Sequence, residues 1–209
     1  MKLTIFGATG GTGRQLVEQA LAAGHQVVAF VRDPSRLTRR HERLTIIHGQ
    51  LTDQAAIEHA VLGADVIISA LGPRRDTRDK SITRGTENIL AAMNKHGVRR
   101  LVVTSTPSAR DPNDRPDFKF KLAVSLIQLI ARGAYEDIVN AAQVVRTSDR
   151  DWTIVRVSML VDAPKTGVVK VGHVNKEMGM RITRADLAEF MLQQVQDSTY
   201  LRQAPAISN

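Results

Sequence analysis

The chain has no cysteine among its 209 residues. This absence excludes disulfides, a thiolate nucleophile and cysteine-ligated zinc or iron–sulfur sites. The longest apolar run, LAVSLIQLIA at 122–131, is shorter than the about 18 residues that span a bilayer. No signal-peptide pattern precedes the first apolar segment. We therefore predict a cytoplasmic protein with no membrane partner.

Two further absences limit the chemistry. The six histidines are scattered and show no spacing typical of metal ligands, so we predict no metal site. Aromatic residues make up 4% of the chain and are not interleaved with basic ones, and no recognition-helix motif is present. The sequence therefore disfavours nucleic acid as a partner.

Positive charge is in excess. The formal net charge is +8 and the sequence pI is near 10.3, a balance that attracts anionic ligands. Two segments concentrate it. One holds Arg32, Arg36, Arg39, Arg40 and Arg43, and the other holds Arg74, Arg75, Arg78 and Lys80.

Short apolar segments rich in valine and isoleucine alternate with amphipathic stretches. The strand candidates are Lys2–Phe6, Gln26–Val31, Leu44–Ile47, Val66–Ala70, Leu101–Thr104 and Thr153–Val157. The helix candidates are 12–23, 53–61, 80–96 and 135–148. This alternation predicts an α/β protein with a doubly wound parallel sheet, a Rossmann fold. With no repeat or linker in view, we predict one domain over residues 1–209, with small substrate-side elements toward the C-terminus.

Two segments depart from the alternation, 105–134 and 158–182, and the second contains a short strand candidate, TGVVKV at 166–171. Both follow strands at the edge of the sheet that carries ligands in open α/β folds. The apolar stretch from Phe118 to Ile130 predicts a helix buried on several sides, which could wall a pocket or form a subunit contact. A final helix is expected to begin at Thr183, whose side chain can cap it.

Gly7, Gly10 and Gly13 follow the first strand at the spacing G-x-x-G-x-x-G and open the first helix. Glycines allow a tight turn, and the free N–H groups of a helix N-terminus favour a phosphate. This context predicts a dinucleotide site. The alternative is a glycine-rich turn that binds nothing.

Arg32 comes directly after the second strand, where many dinucleotide sites carry a ribose-binding acid. Arg32 and Arg36 suit a 2′-phosphate, because guanidinium groups bind phosphate in a bidentate manner. We therefore expect NADP(H) rather than NAD(H). The alternative leaves both arginines solvated and assigns Asp33 to a ribose hydroxyl or to the start of the turn DPSR.

Five motifs together resemble the atypical short-chain dehydrogenase/reductase family. They are FGATGGTG, FVRDPSRL, SALG, VVTSTPSA and ITRADLAEFML. Within that family the resemblance is greatest to the biliverdin reductase B/flavin reductase group. It implies a Rossmann domain that binds NADPH.

The resemblance also implies residue roles. The pyrophosphate would be held by Gly7, Thr9, Gly10, Gly11, Thr12 and Gly13. Arg32 and Arg36 would hold the 2′-phosphate, and Gln50 and Leu51 would contact adenine. The path to the nicotinamide ribose would be lined by Ala70, Leu71 and Gly72. Ser105 matches a serine near the nicotinamide in the flavin reductase group.

Two departures bear on the substrate. Classical short-chain dehydrogenases use a Tyr-x-x-x-Lys pair, but Tyr135 is followed by Val139 four residues on. Met159 stands where the flavin reductase group has a histidine. With Met178 and Met180 it could form an apolar lid, although methionine is as often core filler.

A flat conjugated acceptor needs little from the protein beyond positioning, because the cofactor carries the hydride step. Ser105 is the catalytic candidate, through a hydrogen bond to the nicotinamide amide or to the acceptor; alternatively it caps the turn after its strand. Arg74 and its neighbours could bind an anionic acceptor, or form a solvated loop balanced by Asp76 and Asp79.

The leading hypothesis is therefore an NADPH-dependent reductase, a monomer or small homo-oligomer, that acts on a small-molecule acceptor. Flavin, a biliverdin-like tetrapyrrole and quinone are the expected acceptors, with FMN or FAD then bound as substrate. The second hypothesis is a non-catalytic NADP(H)-binding redox sensor. A nucleotide-sugar epimerase or dehydratase is disfavoured by the short chain and the missing Tyr–Lys pair.

Overall fold

The computed structural model describes residues 1–72, 80–115, 118–174 and 178–209, apart from the side chains of residues 119, 123 and 127. The strands are β1 Lys2–Phe6, β2 Gln26–Val31, β3 Leu44–His48, β4 Val66–Ser69, β5 Arg100–Ser105, β6 Asp151–Arg156, β7 Met159–Val161, β8 Lys170–Gly172, β9 Arg181–Thr183 and β10 Ala206–Ser208. The helices are α1 Gly11–Ala22, α2 Gln54–Val61, α3 Ser81–Lys95, α4 Phe118–Ile130, α5 Arg132–Thr147 and α6 Arg184–Gln193.

Eight strands form one sheet in the order β3-β2-β1-β4-β5-β6-β10-β8. All neighbouring pairs are parallel except β10 with β8. Strands β7 and β9 form a separate parallel pair. Phe6 pairs with Phe30 on one side and with Ser69 on the other, so the three central strands end level. The prediction of a doubly wound parallel sheet is confirmed.

The side chains of β1 alternate between the two faces of the sheet. Leu3 and Ile5 are fully buried on the face that α1 and α6 cover. Phe6 is buried on the opposite face, under α2, α3 and α5, with its ring 5.0 Å from that of Phe30. Trp152, the only tryptophan in the chain, belongs to this second core. Since helices cover both faces, a ligand is expected at the strand ends.

The six predicted strands and four predicted helices are all present, with ends that differ by a few residues at most. The strands β7, β9 and β10 were not predicted, because each has three residues and no periodic pattern. The short strand expected in the segment 166–171 is β8, which pairs only at Lys170–Gly172. Within the described residues, no helix has both the length and the apolar character needed to cross a bilayer.

Helix α4 corrects one prediction. A helix does form over Phe118–Ile130, but the expected burial on several sides is wrong. Val124 is buried, whereas the outer face is exposed. That face carries Phe118, Leu122, Leu126, Leu129 and Ile130. The helix packs along α5 on one side, and the spacing of these apolar residues repeats every three to four positions on the other.

A buried ion pair joins distant segments on the C-terminal side of the sheet. Arg156, fully buried at the end of β6, donates from Nη1 (2.5 Å) and Nη2 (2.9 Å) to the carboxylate of Asp114. That carboxylate also accepts from the backbone N–H of Val174 at 2.9 Å. Burial alone would raise the pKa of Asp114, but the hydrogen bonds from Arg156, Asp111 and Val174 hold it below its ordinary value.

A second buried carboxylate belongs to Asp186 in α6. It accepts from the Oγ1 of Thr183 (2.6 Å), the N–H groups of Thr166 (3.0 Å) and Gly167 (2.9 Å), and the Nδ2 of Asn209 (2.5 Å). Burial opposes these bonds, yet together they lower the pKa of Asp186. The Oγ1 of Thr183 in turn accepts from the Asp186 N–H at 3.0 Å, which confirms the predicted cap of the last helix.

The third buried carboxylate belongs to Asp137 in α5. Its carboxylate accepts from the N–H groups of Ile82 (3.0 Å) and Thr83 (2.8 Å) in the first turn of α3. It also accepts from the Thr83 hydroxyl at 2.7 Å. Asp137 therefore caps a helix that starts more than fifty residues earlier, and so fixes α3 against α5.

Candidate functional site

Two adjoining cavities lie at the C-terminal ends of the central strands. The glycine-loop cleft, about 500 Å³, lies over the turn between β1 and α1 and reaches the ends of β2 and β3. The apolar cavity, about 430 Å³, lies between the ends of β4, β5 and β6 and helix α5. Both are lined by Thr12, Ala70, Leu71, Gly72, Leu160 and Arg184. The two cavities therefore form one continuous depression.

The sequence-predicted cofactor residues come together in this depression. The cleft is lined by Gly7, Thr9, Gly10, Gly11, Thr12, Arg32, Arg36, Gln50, Leu51, Ala70, Leu71 and Gly72. Gly13 does not line it, and Ser105 lies in the adjoining apolar cavity. Arg74 lies outside the residues that the structure describes, as do Arg75 and Arg78.

The glycine turn has the geometry of an anion site. Gly7 has a φ of +81°, and a Cβ there would lie 2.6 Å from the carbonyl oxygen of Ala70. A Cβ on Gly13 would overlap the carbonyl oxygen of Gly7, so this glycine lets α1 pack tightly against the turn. Gly10 is the N-cap and offers no side-chain hydrogen bond to the first turn. The N–H groups of that turn are thus left for an anion.

The far end of the cleft carries the arginines. Arg32 and Arg36 are exposed and line the cleft beside Asp33. The Oδ1 of Asp33 accepts from the N–H (3.1 Å) and the hydroxyl (2.7 Å) of Ser35. Hydrogen bonds from Ser35, followed by the charges of Arg36 and Arg32, lower the pKa of Asp33. Asp33 therefore starts a turn, and the two guanidinium groups are left to meet an anion.

Gln50 and Leu51 lie beside these arginines, in the turn after β3. Asn88 donates from Nδ2 to the carbonyl oxygen of Leu51 at 2.7 Å. The Gln50 side chain is exposed in the cleft. Helix α3 thus holds in place the turn that the sequence assigns to adenine.

Ser105 ends β5 at the floor of the apolar cavity. It is 8% exposed, and its Oγ has no hydrogen-bond partner among the described residues. A buried hydroxyl without a partner costs about 1–3 kcal/mol, so a water molecule or a ligand in the cavity is expected to complete it. The alternative role as a cap for the following turn is wrong, because Oγ makes no such bond.

The rest of the cavity is almost free of ionisable groups. Its walls include Val103, Ala141, Val145 and Leu160. Among the described lining residues Arg184 is the only charged one, and none is histidine, tyrosine, lysine, aspartate or glutamate. The cavity can hold and orient an apolar molecule, but the described part of its lining offers no ordinary proton donor.

Met159 lies at the rim of the cavity, in β7, with 56% of its surface exposed. Its N–H donates to the carbonyl oxygen of Met180 at 3.0 Å. Met178 and Met180 do not line the cavity, and the Sδ of Met178 accepts from the Ser208 hydroxyl. The three methionines thus do not act as one lid, and Met159 alone faces the depression.

Sequence reasoning missed Arg184. It is the first residue of α6 and lines both cavities, and its Nη1 lies 2.8 Å from the Oδ2 of Asp162. A signal was present, since a basic residue directly follows the predicted cap Thr183 on the ligand side of the sheet.

Comparison with known proteins agrees with this geometry. A family model described as NAD(P)H-binding matches residues 7–198 of the chain. The chain is 34% identical over 118 residues to a 2-alkyl-3-oxoalkanoate reductase of Stenotrophomonas maltophilia (strain K279a), covering 52% of this chain and 34% of that protein. It is 30% identical over 154 residues to a (4-alkanoyl-5-oxo-2,5-dihydrofuran-3-yl)methyl phosphate reductase of Streptomyces griseus subsp. griseus, covering 74% of this chain and 46% of that protein. The chain thus spans less than half the length of these two relatives.

Solved structures match over the whole chain. The oxidoreductase ylbE of Lactococcus lactis superposes with a TM-score of 0.83 at 20% identity, covering 91% of that chain. ChuY, an anaerobillin reductase from Escherichia coli O157:H7, gives 0.81 at 21% identity, covering 97%. A short-chain dehydrogenase/reductase of Veillonella parvula in complex with NADP gives 0.78 at 19% identity, covering 94%. At these identities the likeness supports the fold alone.

Proposed function

Because the chain belongs to the NAD(P)H-binding family, we propose that it is an NADPH-dependent reductase that transfers hydride to a flat conjugated small molecule. The family match and the structural neighbours together bear out the resemblance to NAD(P)-binding proteins of the atypical short-chain dehydrogenase/reductase type. The observation that carries the proposal is the continuity of the glycine-loop cleft with an apolar cavity whose floor holds the unpartnered Ser105 hydroxyl.

The residues of the cleft fit NADP(H). The first turn of α1 lacks a side-chain cap and would take the pyrophosphate on its N–H groups. Arg32 and Arg36 would take the 2′-phosphate, which favours NADP(H) over NAD(H). Asp33 is held by Ser35, so it is poorly placed to bind a 2′-hydroxyl instead.

When bound, NADPH would supply a hydride to an electron-poor acceptor, which also gains a proton. The apolar walls would exclude water and hold the acceptor flat against the reduced ring. Ser105 would orient the nicotinamide amide or the acceptor through its free hydroxyl. Since the described lining offers no ordinary proton donor, the proton would come from solvent at the rim near Met159.

The acceptors that suit this cavity are FMN or FAD, a linear tetrapyrrole such as biliverdin, and quinones. The relatives widen the set to be tested, because one curated relative is a 2-alkyl-3-oxoalkanoate reductase and one structural neighbour is an anaerobillin reductase. A 3-oxo acid therefore belongs beside the conjugated acceptors in an assay.

The test is the rate of NADPH oxidation by purified protein with each acceptor in turn. We expect FMN, biliverdin or a quinone to accelerate oxidation above the protein-free rate, with NADPH preferred to NADH. Acceleration by the 3-oxo acid alone would correct the acceptor class while keeping the reductase. Failure of every acceptor would contradict the reductase.

Because no proton donor occurs among the lining residues that the structure describes, a second candidate is an NADP(H)-binding redox sensor. Such a protein would bind both cofactor forms with different affinities and oxidise no NADPH with any acceptor. Calorimetric titration with NADP+ and with NADPH separates the two candidates, since an enzyme needs no large difference between the two affinities.

A further inference from the structure

We propose that Arg184, which is far from the glycine turn in the sequence, binds the pyrophosphate of the cofactor and holds it against that turn. This inference rests on the proposed NADP(H) site and adds a residue that the glycine motif does not contain. The evidence is the position of the arginine against the turn, its place along the depression, and the weakness of its present ion pair.

The space beside Gly11 shows how close Arg184 lies to the glycine turn. A Cβ built on Gly11 would lie 2.5 Å from the Nε and 2.6 Å from the Cδ of Arg184. Gly11 is not one of the three glycines of the G-x-x-G-x-x-G spacing, and its φ is not in the left-handed region. Its missing side chain makes room for the arginine, so a residue 173 positions away lies directly on the first turn of α1.

Arg184 also lies at the junction of the two cavities. Arg32 and Arg36 mark one end of the depression and Ser105 marks the other, while Arg184 lines both parts. In a dinucleotide the two phosphates lie between the adenosine and the nicotinamide riboside. A guanidinium over the glycine turn therefore lies where the pyrophosphate would join the two halves of the dinucleotide. Its planar fork of N–H groups suits two phosphate oxygens.

The arginine is held at its backbone, whereas its guanidinium makes an ion pair with an exposed carboxylate. The flanking residues Thr183 and Asp186 form the capped, buried start of α6. The guanidinium pairs with Asp162, whose side chain is 84% exposed. Exposed ion pairs contribute little, so exchanging one carboxylate for a pyrophosphate would cost little and would gain a second negative charge.

The test compares two ligands by calorimetry or ligand-observed NMR on the full chain. NADP+ carries the pyrophosphate, and adenosine 2′-monophosphate carries only the 2′-phosphate end. We expect Arg184→Gln to weaken NADP+ binding about tenfold or more, as for loss of a charge-assisted hydrogen bond, and to change binding of adenosine 2′-monophosphate less than about twofold. Arg184→Lys, which keeps the charge, should recover part of the loss.

Two matched variants sharpen the result. Asp162→Asn should leave NADP+ binding unchanged or tighter, because it frees the guanidinium. Arg32→Gln should weaken both ligands, because it acts at the shared 2′-phosphate. An unchanged thermal midpoint and circular dichroism spectrum of Arg184→Gln would separate lost binding from lost folding.

Other outcomes overturn the inference. Equal NADP+ affinity of wild type and Arg184→Gln would contradict the proposed contact with the pyrophosphate. If Arg184→Gln also raised the KM for FMN, the arginine would instead be assigned to acceptor binding. Equal weakening of both ligands would mean a general disturbance of the cleft. Wild-type protein that binds neither NADP+ nor NADPH would overturn the proposed function itself, a result distinct from equal affinities.

Discussion

The depression has two ends: the proposed adenosine end, which carries Arg32 and Arg36, and the proposed acceptor end, which carries Ser105. The two ends are assembled in different ways. The adenosine end is built mainly by consecutive elements, β1, α1, β2 and β3, and its proposed binding groups are backbone N–H groups and exposed arginines. The acceptor end is built mainly by later elements, from β4 to α6. These are fixed by the buried carboxylates of Asp114, Asp137 and Asp186, each of which ties segments distant in sequence.

This contrast indicates which part of the site depends on the rest of the fold. A strand–turn–helix unit sets its own geometry through glycines and helix hydrogen bonds, so its ligand groups survive changes elsewhere. Buried polar contacts are costly when one partner is lost. We therefore expect damage to the carboxylates to reach the acceptor end first and the adenosine end last.

The largest expected effect comes from Asp114→Asn. This change leaves the buried charge of Arg156 without its counter-ion, so we expect a loss of about 3–5 kcal/mol in the free energy of unfolding. The exposed pair of Glu136 with Arg132 provides the control, and Glu136→Gln should cost under about 0.5 kcal/mol. Urea denaturation followed by circular dichroism measures both.

Asp114→Asn also tests whether the two ends of the depression are built independently. Under native conditions Asp114→Asn should bind adenosine 2′-monophosphate as wild type does, while its reductase rate falls. Loss of binding at the adenosine end, or a stability cost no greater than that of Glu136→Gln, would contradict the division into two independently built ends.

The double variant Arg32→Gln/Arg36→Gln attacks the adenosine end. Each guanidinium is expected to contribute about tenfold through charge-assisted hydrogen bonds to the 2′-phosphate. NADP+ binding should weaken about a hundredfold by calorimetry, while NAD+ binding and the free energy of unfolding stay unchanged. The double variant Lys2→Gln/Lys95→Gln, at the opposite edge of the sheet, removes the same number of positive charges and is the matched control. If it weakens NADP+ as strongly, the effect is the general field and not these two residues.

Acidification should remove the stabilising contribution of the buried carboxylates at the acceptor end. The pKa values of Asp114 and Asp186 are lowered in the folded chain, and the ordinary value is about 3.9. Their contribution to stability is therefore fully present above that value and is lost as the pH falls through the lowered folded pKa values. The free energy of unfolding, measured in urea at several pH values, should be nearly flat from about pH 7 to 5 as far as these groups are concerned. At pH values below about 4 the free energy of unfolding should decrease.

Asp186→Asn should be less stable than wild type at neutral pH and should lose less stability on acidification, because one of the buried carboxylates with a lowered pKa is gone. A variant whose stability falls as steeply with acid as that of wild type would show that Asp186 does not contribute.

The smallest effect is expected from Ser105→Ala. Its hydroxyl has no partner in the described part of the chain, so removal should leave stability unchanged or raise it by up to about 1 kcal/mol. Hydride transfer should slow about tenfold at saturating NADPH if the hydroxyl orients the reacting groups. Ser125→Ala, on exposed α4, should change neither quantity. A destabilised Ser105→Ala with full activity would reverse the assignment.

Most of the fold was predictable because the pattern is local. The glycine turn, the arginine after β2 and the cap at Thr183 are each recognised within a window of a few residues. The roles of the site residues remain predictions, although the structure brings nearly all of the described ones into one depression.

What the sequence did not predict depends on pairs. Asp114 stands in the loop segment PSARDPNDRPD, and nothing local indicates that its partner is Arg156, 42 residues later. Arg184 meets Gly11 only because α6 packs beside α1. The apolar composition of α4 indicated burial, but the number of faces that neighbours cover depends on the tertiary structure.

The lone Trp152 gives the molecule a built-in optical probe. Its indole lies near the start of β6, about 13 Å along the strand from the ligand edge at roughly 3.3 Å per residue. Indole emission overlaps the absorption of reduced nicotinamide but not that of the oxidised form. Adding NADPH should therefore quench tryptophan fluorescence by energy transfer, and NADP+ should not, so a single wavelength can follow the redox state of the bound cofactor during turnover.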